Sequence, residues 1–263
     1  MKITFLGTGA ADWDINSYVH GEEFRRYSSA LVDTELLIDA GPHIFHFAEN
    51  EGQPEILSNV KNAIITHSHW DHFNPEIILK LAENNPDFTL WGDAACLRAF
   101  HKRLGEENTS SINFVELPIG ETHDVGGYMA TALPASHITH DPAECSRVYL
   151  IEKDGRTLFY GCDCAWLPSE TWAGIVKKQI NLMVLECTCG ELAINDWRSF
   201  DHNDIKMLEN MIIVFRKYNY FAEDVRFVAS HLARELHPDH ATVAKAMEAF
   251  GATPAYDGMV MEI

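Results

Sequence analysis

The sequence predicts an α/β protein in which two sheets pack face to face with helices outside each, a four-layer αββα sandwich. Three observations predict it. Strand-like and helix-like segments alternate through the first half and again near the end. A run of turn-separated strands fills the middle, and polar clusters recur where an apolar strand stops. Meandering strands flanked by strand–helix units favour paired sheets with outer helices, and strand ends along one edge would gather those polar clusters into a site.

The first half opens with the strands KITFL, SSALV and LLID, then a helix near HIFHFAEN and the strand NAIIT. The next helix is capped by Asn74 and has Pro75 at its first position, where the missing N–H would have no partner anyway. TLWG and DAACLRAFHKRL continue the alternation. INFVEL, THDV, GYMATALPA, RVYLIEK and RTLFYGC read as strands separated by turns. Helix LPSETWAGIVKK, strand LMVLEC, helix NDIKMLENMIIVFRKY, strand VRFVAS, helix PDHATVAKAMEAF and strand GMVMEI complete the pattern. No internal repeat, low-complexity segment or linker interrupts it, so residues 1–263 are read as one domain.

Hydrophobic residues make up 46% of the 263, enough for a substantial core. No run approaches the ~18 apolar residues of a membrane span. The opening MKITFLGTGAADWD turns acidic and Gly-rich before a signal-peptide core could develop, so a cytoplasmic protein without membrane contact is expected. Six cysteines give no disulfide-framework density at this length. The formal net charge of −19 argues against nucleic acid, whose binding relies on Lys and Arg neutralising phosphates.

The stretch ITHSHWDHF places His67, His69, Asp71 and His72 directly after an apolar strand. Imidazoles mixed with carboxylate suit divalent transition metals. Three further candidates follow apolar runs: His137 after GYMATALPAS, Asp163 in LFYGCDCA, and His231 after VRFVAS. Each alone is unremarkable, since a strand-end His is commonly a surface or hydrogen-bonded residue. Together they make seven donors, as many as two neighbouring metals need when water completes their shells.

The order HxHxDH, then His, Asp and His, resembles the metallo-β-lactamase superfamily, whose αββα sandwich matches the element order over nearly the whole chain. The resemblance implies that His67, His69 and His137 hold one metal, that Asp71, His72 and His231 hold a second, and that Asp163 bridges both. The ions implied are two divalent metals, zinc or manganese, with iron as an alternative. The motif says little about substrate, because the fold hosts many chemistries.

LGTGA followed by FRRYSSALVDTELLIDAG resembles the branch that holds the tRNA 3′-processing endonuclease and the phosphonate-pathway cyclic phosphodiesterase. Glu186 in LECTC and His202 in DHNDIKMLEN match that branch's strand-end acid and helix-opening His, so Asp71, His202 and Glu186 are the expected catalytic residues. A helix N-terminus favours anions, and an imidazole there can protonate a departing oxygen. Alternatively, His202 only begins a helix capped by Asp201 or Asn203, and Glu186 is a salt-bridged carboxylate.

Two departures from the branch are visible. DWDINSYVHGEEFRR lacks the Cys cluster that holds a structural zinc in the phosphonate-pathway enzymes, and no basic tRNA-gripping arm is present. The expectation is therefore hydrolysis of a small, even cyclic, phosphodiester by metal-activated water, with no nucleic-acid partner; a homodimer is compatible with the sequence. A lactonase or thioesterase on the same metals, an RNA-processing nuclease, and a non-catalytic metal or redox protein are the alternatives.

Other residues have open roles. In SHITHDPAECSR, His140 and Asp141 either line the pocket or sit in a solvated loop. Arg25, Arg26 and Ser28 either meet a substrate phosphate, which Arg binds bidentately, or serve the surface. Cys162, Cys164, Cys187 and Cys189 either hold a third zinc or pack beneath the site. Strand alternation would turn Cys162 and Cys164 away from the face Asp163 uses.

Overall fold

Two seven-stranded sheets form the centre of the structure, a computed structural model that describes residues 1–106, 108, 112–218 and 221–263. In the first sheet β1 (Lys2–Gly7), β2 (Ser29–Val32), β3 (Leu36–Ile38), β4 (Asn62–Ile64), β5 (Thr89–Gly92) and β6 (Asn113–Glu116) lie side by side in chain order. The last strand, β14 (Val260–Glu262), returns to pair with β1, Lys2 opposite Glu262. The second sheet has β7 (Thr122–Val125), β8 (Tyr128–Pro134), β9 (Arg147–Lys153), β10 (Arg156–Gly161), β11 (Leu182–Glu186), β12 (Arg226–Ser230) and β13 (Ala252–Pro254). From β7 to β10 it is antiparallel; from β10 to β13 it is parallel, with helices in the crossovers.

Period-two alternation sorts the side chains into layers. Phe5, Val32, Ile38, Ile64, Ala130, Tyr149, Tyr160, Val184 and Val228 meet between the sheets. Their neighbours Leu6, Leu31, Leu37 and Ala63 face outward, where α1 (Ile44–Asn50), α2 (Pro75–Asn84) and α3 (Ala94–Leu104) cover them. Leu150, Phe159, Met183, Leu185 and Phe227 face the other way, under α4 (Ser169–Ile175), α5 (Ile205–Tyr218) and α6 (His240–Glu248). This is the four-layer αββα sandwich the sequence predicts. Among the described residues no helix is long and apolar enough to cross a membrane.

The helix caps are readable locally. Asn74 accepts from the Ile77 N–H with Pro75 at the first position, and Asp93 and Asp239 cap α3 and α6 in the same way. At α5 the expectation needs correction: Asp204, not Asp201 or Asn203, accepts from the N–H groups of Lys206 and Met207. His202 thus precedes the helix rather than opening it. Strand β13 is a second departure, since three residues ending in Pro254 carry too little pattern to register as a strand.

Candidate metal centre

The parallel strands end along one edge, and the ends of β3, β4, β10 and β12 deliver side chains to it. The His67–His72 turn leaves β4 and docks on the loop after β3, where the Ala40 N–H donates to the His72 carbonyl and Asn74 N–H to that of Ala40. Gly41 makes the docking feasible, because a Cβ there would lie 2.0 Å from the Asp71 carbonyl oxygen. Asp39, Asp163 and His231 follow β3, β10 and β12, and each adopts a left-handed backbone, with φ of 60°, 50° and 57°. That region is uncommon for residues with a Cβ, and Asp is among those that tolerate it best. At all three the backbone turns sharply off its strand and sends the side chain into the site.

The seven sequence candidates converge as two groups that share Asp163: His67, His69, His137 and Asp163; and Asp71, His72, His231 and Asp163. Within each group the donor atoms lie within 4.8 Å of one another. Asp163 Oδ2 sits between them, 3.3 Å from His67 Nε2, 3.1 Å from His72 Nε2 and 3.6 Å from His137 Nε2.

The ring nitrogens face one another in a way hydrogen bonding alone explains poorly. His67 Nε2 is 2.9 Å and His137 Nε2 3.1 Å from the same atom, His69 Nδ1, and His72 Nε2 is 3.2 Å from His231 Nε2. At most one proton can occupy each such contact, and facing lone pairs repel unless a cation lies between them. Imidazole nitrogen with carboxylate oxygen is the donor set that zinc-like ions take. These residues therefore fit a divalent metal site.

Outer partners fix the rings. His72 Nδ1 lies 2.8 Å from Asp39 Oδ2, while Asp39 Oδ1 accepts from the Thr66 N–H at 2.8 Å. Thr66 Oγ1 is 3.0 Å from His67 Nδ1, the Asp201 carbonyl 3.2 Å from His137 Nδ1, and Thr188 Oγ1 2.8 Å from His231 Nδ1. At His67, His72 and His137 the contact turns the opposite nitrogen inward, whereas His231 Nδ1 also lies 2.9 Å from Asp163 Oδ1.

The electrostatics match. Burial pushes His67 well below its ordinary value and His69 down to about 4, so both are neutral donors. Burial would raise Asp163, but His231, His72 and His137 outweigh it and hold the carboxyl well below the usual range. Burial likewise opposes charge on His72 and His231, yet the carboxylates around them win: His72 rises well above its ordinary value and His231 to about 9.

His202 lies outside these two groups and forms a third cluster of possible donors with Glu186 and His231. Its Nδ1 is 3.1 Å from Thr188 Oγ1, 3.4 Å from Glu186 Oε1 and 3.5 Å from Asp163 Oδ1. Burial lowers its proton affinity, and the hydrogen bond and charge of Glu186 more than restore it. Glu186, at the end of β11, is fully buried and accepts from the N–H groups of Thr188 and Asn203 and from the Thr188 hydroxyl, each at 2.7 Å. It ties two loops together beneath His202 and does not reach the cavity.

A cavity of about 570 Å³ opens over the cluster, lined by His69, Asp71, His137, Asp163, His202 and His231 among others. His140 lines it; Asp141 instead pairs with Arg98 at 2.7 Å. Arg25, Arg26 and Ser28 are buried and do not line this cavity. Arg26 pairs with Glu51 and Asp257, Arg25 with Thr8 and His240. The four cysteines are buried free thiols that join none of the candidate metal groups. Cys162 packs between the sheets and Cys164 under the helices, because the left-handed turn at Asp163 breaks strand alternation. Sequence reasoning missed Asp39, Thr188 and Glu144, which reaches Ser68 between two of the histidines; only Asp39, ending LLID, carried a readable signal.

The model of the family described as "Beta-lactamase superfamily domain" matches residues 34–257. Among solved structures, Zn(2+)-bound PqqB from Methylobacterium extorquens is similar at 19% identity and TM-score 0.77, covering 100% of both chains. A diphosphatase from the PhnP family is similar at 16% identity and TM-score 0.73, covering 100% of this chain and 97% of its own. Human tRNase Z, short form, is similar at 18% identity and TM-score 0.70, covering 100% and 99%. At these identities the likeness establishes the fold alone. A search of curated protein sequences gives no match.

Proposed function

The chain belongs to the beta-lactamase superfamily, and from that premise we propose that it is a phosphodiesterase dependent on two divalent ions, zinc or manganese, acting on a small and even cyclic phosphodiester. The observation that carries this reading is His202, a cavity-lining imidazole outside both donor groups, backed by Thr188 and Glu186. Two of the similar folds belong to proteins named as a diphosphatase and a tRNase.

Divalent ions held by the seven donors would supply Lewis-acid activation of water and of the phosphoryl group. The protein's own part is proton handling and placement. With Nδ1 turned toward Thr188 and Glu186, His202 presents Nε2 to the cavity, where it gives a proton to the departing oxygen. Glu186 and Thr188 orient that ring, so Glu186 is a positioning residue. Asp71 joins the second donor group.

The acidic chain, −19 overall, is matched to a small substrate. At physiological salt it should not retain tRNA in a filter-binding assay; tight binding with a steep salt dependence would restore the nuclease reading. The direct test offers phosphodiesters, lactones and thioesters to protein of measured metal content. Phosphodiester turnover is expected, and turnover of a lactone or thioester alone overturns the proposal.

A further inference from the structure

Trp70 stands between His69 and Asp71, lines the cavity and keeps 56% of its surface exposed. Its ring is nevertheless held. It meets Tyr27 at 4.9 Å between centroids and 85°, and Tyr27, itself buried, stacks on His43 at 4.0 Å and 24°. This aromatic column sets the plane of an indole whose free surface adjoins the donor cluster. Whatever binds at the cluster must lie beside it.

The rest of the lining narrows what that can be. Ile138 is 73% exposed and, with Leu236, adds apolar surface to the cavity. Asp12, Asp201 and Glu235 line it as well, against Arg198 as the one Lys or Arg among the described lining residues. Arg198 is already shared with Asp196 at 3.0 Å. A second anionic group on the substrate would meet those carboxylates, so the part beyond the phosphoryl group must be neutral. The volume of about 570 Å³ is far more than a phosphoryl group fills and falls in the range that encloses drug-sized ligands.

Resting on the phosphodiesterase reading, we propose that the substrate is a phosphodiester bearing a neutral planar ring system of nucleoside size, which stacks on Trp70. Stacking of a base on an aromatic side chain tolerates many ring identities, so the proposal specifies a shape and a charge rather than one base. Trp70 is then a specificity-determining residue.

Calorimetric titration of manganese-loaded protein with adenosine 5′-monophosphate and with ribose 5-phosphate tests this, since the two share a phosphoryl group and differ by the ring. The nucleotide should bind roughly 10- to 100-fold tighter. Trp70→Ala should abolish that gap without weakening ribose 5-phosphate, and Trp70→Phe should keep most of it. Metal content is measured for each variant. Should Trp70→Ala lose metal, Trp70→Leu replaces it, and a leucine variant that still prefers the nucleotide overturns the proposal. Equal binding of both compounds to wild type defeats the stacking alone and leaves the phosphodiesterase reading standing. Binding of neither by protein that turns over a phosphodiester also defeats the stacking alone, and binding of neither with no phosphodiester turnover defeats that reading and the stacking with it.

Discussion

Glu144 grips Ser68 at two points, accepting from the backbone N–H at 2.7 Å and from the hydroxyl at 2.5 Å. Ser68 separates His67 from His69, so a carboxylate from the loop after His137 clamps the turn that carries two donors of the first group. Glu144→Ala should therefore weaken metal held by His67, His69 and His137 about 10- to 100-fold, the loss typical of outer partners, and spare the second group. Chelator competition, read for each ion, checks this; equal loss at both groups would mean general loosening instead. Ser68→Ala removes one of the two bonds and should have the smaller effect.

Removing a donor should lower bound metal and melting temperature together, because ligands of the native state stabilise it by mass action. His69→Ala should deplete one group, and Asp163→Ala both, since Asp163 belongs to each. Elemental analysis beside a thermal melt decides the matter. Full metal occupancy in both variants would remove these residues from the donor set.

His202→Ala should keep its metal and its fold, because His202 lies outside the His67 and Asp71 groups. The loss should fall on kcat, about 100-fold or more for a poor leaving group. A nitrophenol leaves without help, so the deficit should shrink for nitrophenyl substrates. A small deficit that is the same for both kinds of leaving group contradicts proton donation by His202.

His237 should make stability sensitive to acid. Burial holds its imidazole down to about 4, against a rise from its hydrogen bond to the Cys187 carbonyl. Nε2 lies 2.7 Å from that carbonyl oxygen, and Nδ1 is buried without a partner. Because the folded value is depressed, the unfolded chain takes the proton first. The contribution is intact above about pH 6.5 and is lost as pH falls through about 4, on the order of 3 kcal/mol in all. Urea unfolding of His237→Gln, which keeps a donor and does not titrate, should show a flatter acid limb than wild type. Identical limbs would assign the acid sensitivity elsewhere.

What the sequence made legible follows from how far each signal reaches. The HSHWDH turn declares itself because its donors are neighbours, and the strand-end His137, Asp163 and His231 because apolar runs announce the strands. Arg25 and Arg26 read as surface or phosphate residues, since the groups that bury them, among them Glu51, Asp257 and His240, lie 25 to 231 positions away. The start of α5 was misplaced because four consecutive residues, Asp201 to Asp204, include three good caps, and only tertiary contacts choose among them. Glu144 was invisible for a related reason: 76 residues separate it from Ser68.

The left-handed backbones at Asp39, Asp163 and His231 set stability and chemistry against each other at the same three positions. Each costs a residue with a Cβ about 1–2 kcal/mol relative to glycine's freedom there. Glycine would relax the strand end while deleting the group that end exists to present. With metal bound, the lost donors at Asp163 and His231 and the lost hydrogen bonds at Asp39 would outweigh that relief. The strain at these three strand ends is thus carried by what their side chains hold, and glycine there would leave a sandwich without its site.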